Sequence, residues 1–454
     1  MAAPARSLIP GPTGRRLRDH TYEYERDRLG FLTRCHEEFG DVFRFSPMTV
    51  VVGHPDTVHD LFLRTNVDFR TEGSLFSGDR TPAAAQTRET DVNMLARRKG
   101  WRGVNKSAAA AHGARFLGHL DSAVRDSGGR AVEVLAMMKE FFGLAVADYC
   151  LGGHGDDVTD VAEAVDVSAK TSVRLMASSL SLPRWLPLPV VSRVRKAERR
   201  ALALLGDVVA ARLAEPVAAE PRDLLDVLHA HLGTPTGAGR HGAHGGAALD
   251  AVAIARLVDV VMRASHGVPG ATTAWALREL ALRPRHLERV RAERDAVRAA
   301  ARGDHVTPAD LPFTAAFVNE LLRAYPPTWL MGRWVHRDTT LAGYDLRRGQ
   351  QVMASAYHVH RDPRWWHDPG EFRPERWLEG ERPYEGRAYF PFGAGPRVCF
   401  GNQLGLAQLT LAIAWLADRY DVEVLNAAEA SPAARELLVP LGLKARFLPR
   451  ARAG

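Results

Sequence analysis

Residues 391–401 read PFGAGPRVCFG, and an apolar run of helical character, NQLGLAQLTLAIAWLADRY, follows at once. Glycines permit a tight loop here that passes close to a flat ligand. Cys399 ends that loop just before the helix. It therefore faces the positive end of a helix dipole and unbonded backbone N–H groups. Such surroundings stabilise a thiolate and tune its electron donation to a metal. A lone cysteine in a glycine-rich turn is ordinarily a buried structural residue. The spacing reverses that reading. The pattern F-x-x-G-x-R-x-C-x-G is met in full by Phe392, Gly395, Arg397, Cys399 and Gly401. Independent residue usage supplies it in about 10⁻⁴ of chains of this length.

The rest of the chain is that of a large globular protein. At 454 residues it is long enough to bury a sizeable core without metal staples. Apolar residues at 46% and charged residues at 25% exclude disordered, collagen-like and disulfide-scaffold classes. The net charge is +7, and 54 of the 60 cations are arginines. Arginine and alanine dominate as in GC-rich coding sequence. No lysine- and arginine-rich segment interleaved with aromatics occurs, so no nucleic acid is expected as a partner. A basic surface instead suits an acidic protein partner. Cys35, Cys150 and Cys399 are an odd, sparse set that suits a reducing compartment. No apolar stretch of about 18 residues occurs, so no membrane anchor is expected and the location expected is cytoplasmic.

The pattern along the chain predicts a mainly α protein with small β-sheets, organised as a single domain over 1–454. A hairpin is expected over 42–53, around Ser46-Pro47. Helical signal dominates from about 56 to 330. It includes an Ala-rich cationic helix over 95–117, a buried helix over 141–152, and a long central helix over 249–282 with one proline. A charged helix over 284–302 reads as a surface element. Residues 233–248 read as a flexible Gly/Ala-rich linker, whose His241 and His244 lack neighbours to orient them on a metal. Short strands are expected over 339–346 and 350–356, and a second hairpin over 437–449.

With its cysteine loop, the sequence resembles the cytochrome P450 family of haem-thiolate enzymes. Further segments agree. Glu320-Leu-Leu-Arg323 matches the family's E-x-x-R motif, and residues three apart share a helix face. FRPERW (372–377) supplies Arg376 where the family places the third member of a structural charge network. The order Glu320, Arg323, Arg376, Cys399 is the family order, and 360–377 matches throughout. The resemblance is strong over 310–420, fair over 20–70 and the central helix, and loose elsewhere. It implies the cytochrome P450 fold, with haem b between the long central helix and the cysteine-loop helix and Cys399 as the metal ligand. It also implies cofactor contacts from Phe392, Arg397, Arg333 and Trp101. The family often carries an arginine four residues after such a tryptophan. Asn105 stands there instead, and the contact is expected either from Lys106 or Arg102 as compensating cations or from Asn105 itself as a neutral hydrogen-bond donor.

The central helix departs from the family pattern, in which an acid precedes a threonine and orders a proton-delivering water chain. The segment here is VPGATTAWAL (268–277), which places Thr272 at the alcohol position, Ala271 at the acid position and Pro269 in place of a small residue. Proline removes a backbone donor and predicts a kink. An alternative register through ASHG (264–267) brings His266 or Gly267 near the acid position. The expected activity is oxidation of a small apolar molecule of secondary metabolism, using dioxygen and two electrons from a ferredoxin-type donor. Arg97, Arg98, Lys99, Arg102 and Arg387 are the expected donor-docking cations. By analogy the substrate-facing regions are 73–95 with Leu75 and Phe76, 175–191 with Trp185, the central helix before Thr272, Thr328 to Met331, and 437–441. The alternative is non-oxygenase chemistry, peroxide-driven or a rearrangement or cyclisation of a pre-oxidised substrate. A non-catalytic haem-binding sensor is the remote alternative.

Overall fold

The computed structural model describes residues 8–12, 20–71, 83–152, 156–176, 189–234, 248–300, 306–378 and 386–451. Leu75, Phe76, Trp185, His241, His244 and all but the ends of the 233–248 linker lie outside the described residues. The chain forms two compact units. One comprises Met1–Asp79 and Asn319–Cys399, the other Arg80–Val318 and Phe400–Gly454.

The first unit is built on a five-stranded sheet. Its order is Val42–Ser46, Thr49–Val52, Gln351–Ser355, Leu330–Val335, Phe69–Arg70. The expected hairpin is present, pairing Val42 with Val52 and Phe43 with Val51, with an irregularity between Arg44 and Ser46. Every residue of Thr49–Val52 is β-branched, which suits a pleated, covered surface. It runs parallel to Gln351–Ser355. The helix Pro55–Leu63 starts with proline in its first turn, and the His54 ring accepts the Asp56 N–H. Its buried face, Val58, Leu61 and Phe62, packs with Val50, Val52, Phe69, Val352 and Ala354. Burying each such side chain contributes about 1.5–3 kcal/mol. The expected run over 339–346 resolves into a hairpin, Thr339–Leu341 against Tyr344–Leu346.

The second unit is mainly helical. Its longest helix, Ala251–Leu282, carries Pro269 inside it and starts at Asp250, whose side chain accepts the Ala253 N–H at 2.7 Å. Every residue from Pro269 to Leu277 is buried. That is why no amphipathic stripe marks this stretch in the sequence. The helix Val134–Leu151 contains the expected buried segment.

Two expectations need correction. The cationic stretch 95–117 is not one helix. Helices Ala83–Gly100 and Lys106–Asp126 are separated by a 3₁₀ turn, Trp101–Val104. Asn105 caps the second helix by accepting the Ala108 N–H at 2.9 Å, an interaction that restarts rather than continues a helix. Nor is 437–449 a hairpin. Leu438–Pro440 pairs with Pro432–Ala434, whereas Lys444–Pro449 pairs with Tyr420–Val424 and, at its start, with Val132–Glu133. The longer pairing buries Ala445 and Phe447, which a local hairpin would not do.

The charged helix Pro284–Ala299 buries one face through His286, Val290, Arg294 and Val297. It clamps the end of the cysteine helix, Asn402–Arg419. Arg298 and Arg294 both approach the buried Asp418, and Arg291 donates to the Ala417 carbonyl at 2.9 Å.

Candidate functional site

The cysteine loop is closed by its own backbone. The Cys399 N–H donates to the Phe392 carbonyl at 2.8 Å, and the Gly393 N–H to the Phe390 carbonyl at 2.9 Å. A 3₁₀ turn, Gly395–Arg397, lies between. Gly395 adopts φ +69°, and a Cβ there would stand 2.3 Å from the Phe62 carbonyl oxygen. Only glycine permits that approach. Cys399 and Phe392 are both partly exposed, although an aromatic ring is ordinarily covered. The helix Asn402–Arg419 begins three residues after the thiol.

The expected charge network is present. Glu320, Arg323 and Arg376 are fully or almost fully buried. Arg323 grips Glu320 bidentately, Nε to Oε2 at 2.9 Å and Nη2 to Oε1 at 2.8 Å. Arg376 Nε reaches Oε1 at 3.2 Å. Two further donors were not visible in the sequence: the Trp377 indole N–H, 2.9 Å from Oε2, and the Arg373 backbone N–H, 2.9 Å from Oε1. Remaining guanidinium donors reach the carbonyls of His360, Pro369 and Glu371 from Arg323, and of His367, Asp368 and Glu371 from Arg376. Two buried cations on one carboxylate are tolerable only with such neutral acceptors around them.

Arg333 and Arg397, the expected cofactor cations, are held by consecutive residues. Arg333 Nε donates to Thr65 Oγ1 at 3.0 Å, and Arg397 Nε to Asn66 Oδ1 at 3.1 Å. The Arg333 guanidinium also lies 4.8 Å from the Phe62 ring centre. Thr65 and Asn66 follow the helix Pro55–Leu63, and Asn66 takes φ +74°, which asparagine tolerates better than most residues. Sequence spacing did not single out this pair, since their partners lie 268 and 331 positions away.

In the second unit, Trp101 is 39% exposed, so it is not a core aromatic. Its ring meets Phe400, the residue after the cysteine, edge-on at 5.9 Å, and the Arg97 guanidinium lies 5.5 Å from the same ring. The Asn105 side-chain oxygen is committed to its helix cap. Lys106 opens the helix that Asn105 caps.

Thr272 is fully buried and its hydroxyl donates to the Val268 carbonyl at 3.1 Å. Thr273 does the same to Pro269 at 2.9 Å. The helix continues through Pro269, which has no N–H to offer the Ser265 carbonyl one turn back. Ala271 is fully buried and brings no acid. The flanking acids on this helix are engaged, Asp259 with Arg263 and Glu279 with Arg278 and Arg283. His266, from the alternative register, bonds Asp166 at 2.9 Å, and burial pushes its pKa down.

This donor set fits haem b. A partly exposed thiol sits before a helix, a glycine-dependent loop presents an aromatic flank, and two fixed guanidiniums suit the two carboxylate arms of a porphyrin. These are the parts of a haem-thiolate protein. The family model described as Cytochrome P450 matches residues 10–444, and the chain belongs to that family, whose cofactor is haem b. It is similar to a carnosic acid synthase of Rosmarinus officinalis, 32% identical over 43% of this chain and 39% of that protein. It is also similar to ent-kaurene oxidase-like 5 of Oryza sativa subsp. japonica, 39% identical over 37% and 32%. A germacrene A hydroxylase of Helianthus annuus is 38% identical over 32% and 30%. The chain thus spans less than half the length of the curated relatives it matches. A solved structure titled "Retinoic acid bound cyanobacterial CYP120A1" shares the fold, with TM-score 0.76, 17% identity, and 98% of this chain and 100% of that chain covered. No helix among the described residues is long and apolar enough to cross a membrane.

Proposed function

We propose that the chain, acting as one cytochrome P450 domain, is a cytoplasmic monooxygenase that oxidises a small apolar molecule of secondary metabolism. Dioxygen and two electrons from a ferredoxin-type donor are the co-reactants. The observation that carries this reading is the Cys399 loop, packed against the Phe62 backbone at Gly395 and tied to its own backbone through Phe392. The oxidase and hydroxylase names of its relatives support it.

When bound, haem supplies the oxygen-activating chemistry. Cys399 holds the metal as a thiolate and donates electron density to it. Arg333 and Arg397 hold the two carboxylate arms, each guanidinium oriented beforehand by Thr65 or Asn66. The Thr272 hydroxyl gives its hydrogen to Val268, which leaves its lone pairs to accept a hydrogen bond from water. A proton passes when that water donates one to Oγ1 while the hydroxyl, turned away from the Val268 carbonyl, gives its own to a second water on the other side. With Ala271 at the acid position, backbone and water must feed that hydroxyl.

Ala271 also favours a second reading, chemistry that needs no full cleavage of dioxygen. A spin-state titration of the ferric protein with apolar biosynthetic intermediates finds the ligand class. Coupled product formation from that ligand, dioxygen and reductant supports the monooxygenase. Product formed anaerobically without reductant supports the second reading.

A further inference from the structure

We propose that His360 is a positioning residue for the cysteine loop, a neutral acceptor through which the buried Glu320 network keeps the thiol in register. The proposal rests on Cys399 being the haem ligand. Arg323 Nη1 donates to the His360 carbonyl at 2.9 Å, so the network fixes the backbone at 360. The ring itself is fully buried, with Trp366, Tyr389 and Phe390 around it. Its Nε2 lies 3.0 Å from the Phe390 backbone nitrogen. An amide N–H can only donate, so Nε2 carries the lone pair and the ring proton is on Nδ1. Burial, reinforced by the adjacent Arg323 charge, pushes the imidazole down to about 3, which keeps the acceptor in place at neutral pH.

From that acceptor the bonds run in series to the thiol. Phe390 receives the Gly393 N–H on its carbonyl, and Phe392 receives the Cys399 N–H on its own. His360 contributes the side chain in this series, and the later links are backbone. Nothing in the residue's position requires an acceptor if it serves only to fill the core. A shape-filling role and a positioning role therefore separate on substitution.

The full-length, haem-loaded protein is compared with His360→Leu, His360→Gln and His360→Asn. Glutamine places an acceptor oxygen as far from the backbone as Nε2, and asparagine one bond short. Two readouts are taken: amide hydrogen exchange of the 386–399 segment, and the share of thiolate-type against thiol-type spectrum in the reduced carbon monoxide complex. His360→Leu is expected to exchange about tenfold faster and to shift toward the thiol-type spectrum, with His360→Gln within about twofold of wild type. Leucine and glutamine variants that both match wild type overturn the proposal. So does a glutamine variant as impaired as the leucine one. If His360→Leu does not accumulate, glutamine against asparagine decides: glutamine near wild type with asparagine impaired supports the proposal, and equality overturns it. A wild-type protein without a thiolate-type spectrum overturns the haem reading by itself, and hydrogen exchange still decides the bond to Phe390.

Discussion

Gly395 and Phe62 approach so closely that no side chain fits between them, with a virtual Cβ 2.3 Å from the Phe62 carbonyl oxygen. The contact is to backbone, which cannot swing aside, and the glycine sits at φ +69°. Gly395→Ala therefore combines a left-handed penalty of about 1–2 kcal/mol with a clash that must displace the loop. It is expected to lose about 3 kcal/mol or more in urea unfolding, and to retain haem poorly. Gly401→Ala is the control. Nothing lies within 4 Å of its virtual Cβ, so it should stay within about 0.5 kcal/mol of wild type.

Glu320 is the hub of its network, so removing its charge leaves two buried guanidiniums uncompensated. Glu320→Gln is expected to cost about 3–5 kcal/mol in the same assay. Trp377→Phe removes a single neutral donor, while both carboxylate oxygens keep bonds from Arg323. Its expected cost is about 1 kcal/mol. Equal losses from the two variants would refute this ranking.

Burial pushes the His358 imidazole down to about 4 and that of His360 down to about 3. In the unfolded chain both take a proton near pH 6.5. Between those limits the unfolded state binds more protons, so stability rises with pH. The full value is present at pH 7 and is lost as pH falls from about 6.5 toward 4. Each residue contributes at most about 1.4 kcal/mol per pH unit. Unfolding midpoints measured at pH 7, 6 and 5 should fall accordingly, with about half that slope in His358→Gln.

Thr272 gives its hydroxyl hydrogen to its own helix, so its loss should leave the fold nearly intact. Thr272→Ala is expected to stay within about 1 kcal/mol of wild type in stability. Its ratio of product to dioxygen consumed should drop about tenfold or more if the hydroxyl relays the proton. An unchanged ratio, with product still forming, would show that the Thr272 hydroxyl does not relay the proton.

Arg98 and Arg102 are exposed, whereas Arg387 already bonds Asp56 at 2.7 Å. The double reversal Arg98→Glu, Arg102→Glu should slow reduction by an acidic ferredoxin about tenfold or more at low salt and flatten its salt dependence. Arg387→Glu should have a smaller effect. Stopped-flow reduction at two ionic strengths measures both.

Legibility in the sequence followed the range of each interaction. The cysteine loop, the 42–53 hairpin and the pair Glu320 and Arg323 are local patterns; the loop and the hairpin are legible in spacing and composition, whereas the pair is singled out by the resemblance. Arg376 was found by the resemblance, since no periodicity links it to a carboxylate 56 positions earlier. Trp377, Thr65, Asn66 and His360 escaped for the same reason: their partners are set by tertiary packing. Asn105 shows the opposite failure. Its cap is a local interaction, yet the Ala-rich composition of 95–117 predicts one helix and the cap is not singled out. At the C-terminus, Lys444–Pro449 has ordinary strand composition, and only the availability of Tyr420–Val424 chose its neighbour.

The hydrogen bonds and packing contacts described around the thiol's loop, from His360, Phe62, Asn66 and Phe392, begin and end within the unit of Met1–Asp79 and Asn319–Cys399. Thr272, Pro269 and Ala271 belong to the other unit. The proposed metal ligand and the proposed oxygen-handling residues thus belong to separate units of the chain. A library that varies the central helix can accordingly be sorted by colour first. Variants that keep the thiolate spectrum have an undamaged ligand frame, and whatever change in product they show reports on the helix alone.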